Sequence, residues 1–229
     1  MIFFLLEFPP YRNRKLEQAI SQSPVNSPLC LDKMELTYQD MDIVVRKGIV
    51  HQQCTLLSLQ SNKITSIGVA ILAESLRNNK TLETLNLENN YISDDGVISL
   101  VEALSSTDNV LKTLILYKNK ITDRGMKFLA QFLENNDQLA WLYLGENEIS
   151  NEGIRMLCAS LTNHNQTLEM LVLSSNKLLN DLSVNYLLSM MEVNQSLKKL
   201  WIDDCNLSDY GRRRLEEKLQ EKNDFYIRF

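Results

Sequence analysis

Histidine is nearly absent, with 2 in 229 residues. A metal ligand or a general base needs partners at fixed spacing, and neither His51 nor His164, each in a polar stretch, has one. The four cysteines, Cys30, Cys54, Cys158 and Cys205, are scattered, with no C-x-C or C-x-x-C pair. That argues against a disulfide-stapled end module and favours a reducing compartment, so the expected location is cytoplasmic. No G-x-x-x-x-G-K-[ST] run exists to cradle phosphates. Positive charge is in the minority, 24 Lys+Arg against 29 Asp+Glu for a formal net charge of −5, so nothing draws the chain to nucleic acid or anionic lipid. Its one dense cationic spot, Arg212, Arg213 and Arg214, lies beside Glu216 and Glu217 and reads as a solvated helix face. The apolar start, Met1 to Phe8, is too short to span a membrane. As a signal peptide it lacks a basic n-region and a small-residue cleavage site. These absences leave no catalytic residue, no metal ligand and no cofactor to expect, and no nucleic-acid or membrane partner.

What the chain has is repetition, which must be recognised before length is converted into a domain count. The segments LETLNLENNYIS (82–93), LKTLILYKNKIT (111–122) and LAWLYLGENEIS (139–150) superpose without gaps, and LEMLVLSSNKLL (168–179) differs only at its last residue. CTLLSLQSNKIT (54–65) and LKKLWIDDCNLS (197–208) complete six copies of L-x-x-L-x-L-x-x-N-x-I/L. The ninth position carries Asn62, Asn90, Asn119, Asn147, Asn176 and Cys205, at steps of 28, 29, 28, 29 and 29 residues.

Each position in the motif has a physical task. The fourth and sixth residues alternate, so both face inward from a short strand, and the residues between them face outward. A strand this short needs identical neighbours paired beside it. The ninth-position Asn can donate to and accept from backbone groups where the chain leaves the strand, so a stack of them forms a ladder; Cys205 substitutes as a small, weak donor. Thr65, Ser93, Thr122, Ser150 and Ser208 stand where a helix N-cap belongs, each followed three residues later by glycine. That helix start also accounts for Ser93-Asp94-Asp95-Gly96, which otherwise suggests a metal loop. Leu72/Leu76, Leu100/Leu104, Leu129/Leu133, Leu157/Leu161 and Leu215/Leu219 then recur at i, i+4 on an inward helix face.

The expected domain is therefore 26–229: a degenerate unit at 26–53 without a ladder Asn, six clear units over 54–224 and a partial terminal strand at 225–229. The fifth unit lacks the usual cap and glycine; a one-residue shift with Asn180 as cap restores inward Leu187 and Met191 and implies a local bulge. Residues 1–25 lack the repeat and read either as a cap on the end of the stack or as a frayed extension. Four N-x-S/T sequons, at Asn79, Asn165, Asn194 and Asn206, are attributed to the abundance of asparagine.

The 28/29-residue spacing, the Asn/Cys ladder and the S/T-x-x-G helix start resemble the ribonuclease-inhibitor-like class of leucine-rich repeats, over nearly the whole chain. The resemblance implies an α/β right-handed solenoid, a horseshoe arc with parallel strands on the concave face and helices on the convex face. The class includes the sensor regions of NOD-like receptors, Ran GTPase-activating proteins and tropomodulin-type actin-capping domains. Its members share the binding of a protein partner, which fold analogy alone does not identify.

The informative positions are the outward ones. Ile115, Tyr117, Trp141, Tyr143, Met170, Val172 and Trp201 fall on adjacent strands, about 4.8 Å apart, and group into one aromatic-rich concave patch. Acidic and polar neighbours, Glu88 and Asp203 among them, would form its rim and favour a partner with basic groups. The expectation is a monomeric, non-catalytic scaffold or sensor. The competing readings are a GTPase activator resembling the Ran activator and an actin-capping protein. The Ran-activator family ends in a long acidic tail and has more units; nothing at a specific residue favours actin.

Overall fold

A computed structural model describes residues 11–229, apart from 107, 108, 221 and 223. The apolar start at Met1 to Phe8 lies outside the described residues. The strands are β1 (Leu29–Cys30), β2 (Leu56–Ser58), β3 (Thr84–Asn86), β4 (Thr113–Ile115), β5 (Trp141–Tyr143), β6 (Met170–Val172), β7 (Lys199–Trp201) and β8 (Tyr226–Arg228). They form one parallel sheet in sequence order. The register aligns equivalent positions: Leu57, Leu85, Leu114, Leu142, Leu171, Leu200 and Ile227 lie side by side. All seven are buried, in a single core cluster that runs the length of the stack.

The helices return the chain from each strand to the next: α3 (Ser66–Leu76), α4 (Ser93–Leu104), α5 (Asp123–Asn135), α6 (Asn151–Asn163), α7 (Val184–Val193) and α8 (Asp209–Leu219). Their i, i+4 leucines enter the core, although Leu219 only packs against its edge. Upstream, β1 pairs with β2, and residues 38–51 wind through a 3-10 turn, a short helix α2 (Met41–Ile43) and π-helical turns. Helix α1 (Arg14–Ser21) buries Leu16 and Ile20 against this end. Gln52 Nε2 donates to Ile20 O at 3.1 Å, and Tyr11 and Asn13 both donate to Asp40 Oδ1.

The asparagine ladder has the geometry its chemistry requires. Asn147 donates from Nδ2 to Leu116 O at 3.0 Å and Leu144 O at 2.9 Å, while its Oδ1 accepts from the Asn119 and Ile121 amides at 2.9 and 3.0 Å. One amide thus satisfies backbone groups of its own unit and the preceding one. Asn62 repeats the pattern one end up, and Cys205 Sγ keeps one contact, to Leu173 O at 3.4 Å. The residue before each ladder position turns with positive φ: Ser61, Asn89, Lys118, Glu146, Ser175 and Asp204 lie at 47–62°. That left-handed turn costs a non-glycine residue about 1–2 kcal/mol, and the ladder bonds beside it hold it in place.

Helix capping follows expectation at Thr122, Ser150 and Ser208, whose hydroxyls accept from Arg124, Glu152 and Gly211 amides. It does not at Thr65, whose Oγ1 is buried without a partner, or at Ser93. The Ser93 amide is drawn to Asn119 O at 3.0 Å and the residue adopts φ 56°, so it begins α4 instead of capping it. A second row explains the glycine. Asp94 accepts from the Thr122 amide at 2.8 Å and the Gly125 amide at 3.0 Å, and Asp123 does the same for Ser150 and Gly153. A Cβ on Gly125 or Gly153 would lie 2.5 Å from the carboxylate oxygen, so only glycine admits it. In the fifth unit a 3-10 turn at Asp181–Ser183, capped by Asn180, takes up the extra residue. Leu187 and Met191 are buried there, while Leu178 and Leu182 are pushed into solvent.

Candidate functional site

The concave face consists of the outward side chains of these strands. Equivalent residues align as Ser58, Asn86, Ile115, Tyr143, Val172, Trp201 and Arg228 in one row. The neighbouring row reads Leu56, Thr84, Thr113, Trp141, Met170, Lys199 and Tyr226.

The structure brings the expected patch residues together and divides them into three kinds. Trp141 is exposed, at 46%. Ile115, Tyr117, Tyr143 and Trp201 are half-buried. Met170 and Val172 are buried, at 7% and 3%: Val172 lies between Tyr143 and Trp201, and Met170 between Trp141 and Lys199, larger side chains on both sides. They floor the patch and offer almost no surface of their own. The Tyr143 hydroxyl lies 3.7 Å from Met170 Sδ, and burial pushes the Tyr143 phenol up from its ordinary pKa. Tyr117 lies across the backbone of Gly145, where a Cβ would come within 2.1 Å of its ring. Burial, above all, raises its phenol as well.

The two acidic rim residues are already engaged. Glu88 accepts from Gln60 Nε2 at 2.9 Å. Asp203 accepts from Ser174 Oγ at 2.7 Å and pairs with Arg228 Nε at 3.4 Å. The same guanidinium sits over the Trp201 ring, 4.9 Å from its centroid, and the Trp201 indole nitrogen is buried without a partner. The C-terminal strand therefore covers Trp201 and leaves Trp141 as the open aromatic of the expected patch. Arg228 was not singled out in the sequence; the alternation of Phe225 to Phe229 signals a strand but not what its outward arginine touches.

A further group escaped sequence reasoning. Beside Trp141, Glu83, Lys112, Ala140 and Glu169 surround a shallow pocket of about 230 Å³. Lys112 Nζ is held by Glu83 Oε2 at 3.0 Å. These are second-position residues of successive units, a row that the motif leaves unspecified.

Outside the concave face the chemistry is sparse. His51 and His164 are both exposed. Among the described residues no group of three or more His, Cys, Asp or Glu could hold a metal, and no helix is long and apolar enough to cross a membrane. The four cysteines are free; burial pushes the Cys54 and Cys205 thiols up to about 11 and Cys158 up to about 12.

Comparison with known proteins supports the repeat. A family model described as Leucine Rich repeat matches residues 78–101 and 107–130. "NACHT, LRR and PYD domains-containing protein 9" of Bos taurus is 34% identical over 101 residues, 43% of this chain and 10% of that protein. "NACHT, LRR and PYD domains-containing protein 14" of Mus musculus is 33% identical over 132 residues, 57% of this chain and 13% of that one. The chain thus matches only about a tenth of the length of these relatives. Among solved structures, "Leiomodin-1 Actin-Binding Site 2 (ABS2)" aligns over 80% of this chain and 87% of that chain, at 14% identity and a TM-score of 0.46.

Proposed function

We propose that this chain, which is a leucine-rich-repeat protein of the ribonuclease-inhibitor-like class, is a non-catalytic module that holds another protein on its concave sheet. The observation that carries this reading is Trp141, a large aromatic side chain 46% exposed in the middle of an ordered parallel sheet, with half-buried Ile115, Tyr117 and Tyr143 beside it. Rigid aromatic residues on a preformed surface cost little entropy to dock and dominate protein interfaces. The partner carries basic groups, and the chain engages it as a monomer. The relatives' names place leucine-rich repeats beside NACHT and PYD domains, so a sensor role within a larger cytoplasmic protein is the setting we favour. Free cysteines in every described position agree with a reducing compartment.

The test is affinity capture with mass spectrometry, comparing wild type with the Trp141→Ala/Tyr143→Ala double variant. Loss of captured proteins from the variant, with the variant still folded by circular dichroism at the capture temperature, is expected. An identical set of captured proteins would overturn the concave-face reading.

A further inference from the structure

The two tryptophans of the chain sit in contrasting states. Trp201 is covered by a guanidinium, that of Arg228, at 4.9 Å from the ring centroid, and this guanidinium pairs with Asp203 at 3.4 Å. The molecule thus contains one complete example of an arginine seated between an indole face and a carboxylate. Trp141 offers the same two chemistries without the cation. Its ring is 46% exposed, and the pocket of about 230 Å³ next to it is lined by the carboxylate-bearing Glu169.

Three neighbours decide what this pocket can take. Lys112, two strands from Glu169, is committed to Glu83 at 3.0 Å. Ala140, immediately before the strand between them, is small and leaves the space open. Lys198, one strand beyond Glu169, makes no ion pair with it, and among the described residues the Glu169 carboxylate has no hydrogen-bond or ion-pair partner. An exposed carboxylate beside an exposed indole is a site for a cation, and the pocket's position on the concave face makes it continuous with the aromatic patch.

We infer that this pocket seats an arginine side chain of the protein partner, with the guanidinium stacked on Trp141 and paired to Glu169. Arginine is favoured over lysine because its planar, weakly hydrated group can stack on an indole and meet a carboxylate at once. The inference rests on the concave-face reading and sharpens it by naming the side chain that Trp141 receives.

The test uses N-acetylarginine amide as the probe, followed by the NMR shift of the Trp141 indole N–H, which is assigned with Trp141→Phe. A saturable shift with Kd in the millimolar range is expected. The citrulline analogue, the same shape without charge, should give none, and the lysine analogue should bind more weakly. Glu169→Gln, at an exposed position, should weaken arginine binding by about three- to fivefold. An unsaturable shift, equal binding of citrulline or lysine, or indifference to Glu169→Gln would each overturn the seat. If the double variant loses captured proteins while the arginine probe fails to bind, the concave reading stands and the arginine seat falls. If the probe binds but capture is unchanged in the variant, the assignment of the seat to a partner falls with the concave reading.

Discussion

The first three strands and the last five share one backbone, one register and one core, yet their concave faces behave differently. On the early strands the outward polar groups satisfy one another across the sheet. Ser58 Oγ donates to Asp32, Asn86 Nδ2 donates to Ser58 Oγ at 3.2 Å, and Gln60 Nε2 donates to Glu88 at 2.9 Å. Asp32 also accepts from the Gln60 amide at 2.9 Å, and Asn86 Oδ1 from the Glu88 amide at 2.9 Å. Cross-strand pairs of this kind stabilise the sheet and leave little bonding capacity for a partner. On the later strands the outward positions carry Ile115, Tyr143, Trp141 and Trp201, whose apolar surfaces cannot be satisfied by lateral hydrogen bonds. A repeat fold fixes where a side chain points; the side chain decides whether that stretch of sheet is closed or available.

The comparison assumes a common core, and the largest effect tests it. Leu114 is fully buried between Leu85 and Leu142, so Leu114→Ala should cost about 2–5 kcal/mol. Urea unfolding should show a single transition displaced as a whole, because both faces lie on the same cluster. A second transition, with one end unaffected, would mean that the two regions fold independently. Asn119→Ala comes next, at about 1–3 kcal/mol, since Asn119 is fully buried and its loss removes one of the two donors at Leu87 O and at Tyr117 O and the side-chain acceptor of the Ile92 amide. An unmoved midpoint would show that the ladder does not join the two regions at that unit.

Gly145→Ala acts on the later strands alone. The new Cβ would lie 2.1 Å from Tyr117 Cε2 and 2.9 Å from Ser174 O, so the ring must swing away, at about 1–3 kcal/mol. Tyr117 should become more exposed, which ultraviolet difference spectroscopy would register, while the early strands' amide exchange stays as in wild type. Exchange accelerating equally at both ends would break the distinction between them.

How much of this the sequence disclosed depends on whether a residue's partner sits at a repeat-equivalent position. Ladder asparagines and inward leucines touch their own equivalents one unit away, so the period alone locates them. Asp94 and Asp123 hold a cap and glycine about one unit downstream, but the row changes to asparagine at Asn151 and moves by one residue at Asp181, which hides it from the motif. The left-handed turns at Lys118 and Glu146 fall on residue types that do not advertise them. Three of the four sequons look different in three dimensions. Asn79 Oδ1 accepts from the Leu82 amide at 2.7 Å, Asn165 Oδ1 accepts from the Leu168 amide at 3.0 Å, and Asn194 Oδ1 accepts from the Leu197 amide at 2.8 Å. Asn165 and Asn194 also donate to backbone oxygens of the preceding unit, which makes them a second ladder where each helix meets the next strand. Of the patch, the period gave the direction of each side chain. Burial of Met170 and Val172, and the cover that Arg228 gives Trp201, depend on the sizes of neighbours and on a strand outside the motif.

The smallest effect is the sharpest test of the contrast. Ser58→Ala deletes a hydroxyl that both accepts from Asn86 and donates to Asp32, at a site 5% exposed. Asn86 and Asp32 lie partly at the surface, so water replaces most of what is lost and the cost should stay near 1 kcal/mol. Captured partners should be unchanged, because the side chain already spends its bonding capacity on neighbouring strands. Trp141→Ala should do the reverse, since an exposed ring contributes little to the core but much to an interface. Crossing the two variants on the same axes, melting midpoint against capture, separates a closed surface from an available one. If Ser58→Ala reduced capture as much as Trp141→Ala, the early strands would belong to the interface, and their internal hydrogen bonds would be preparing a polar contact instead of closing the face.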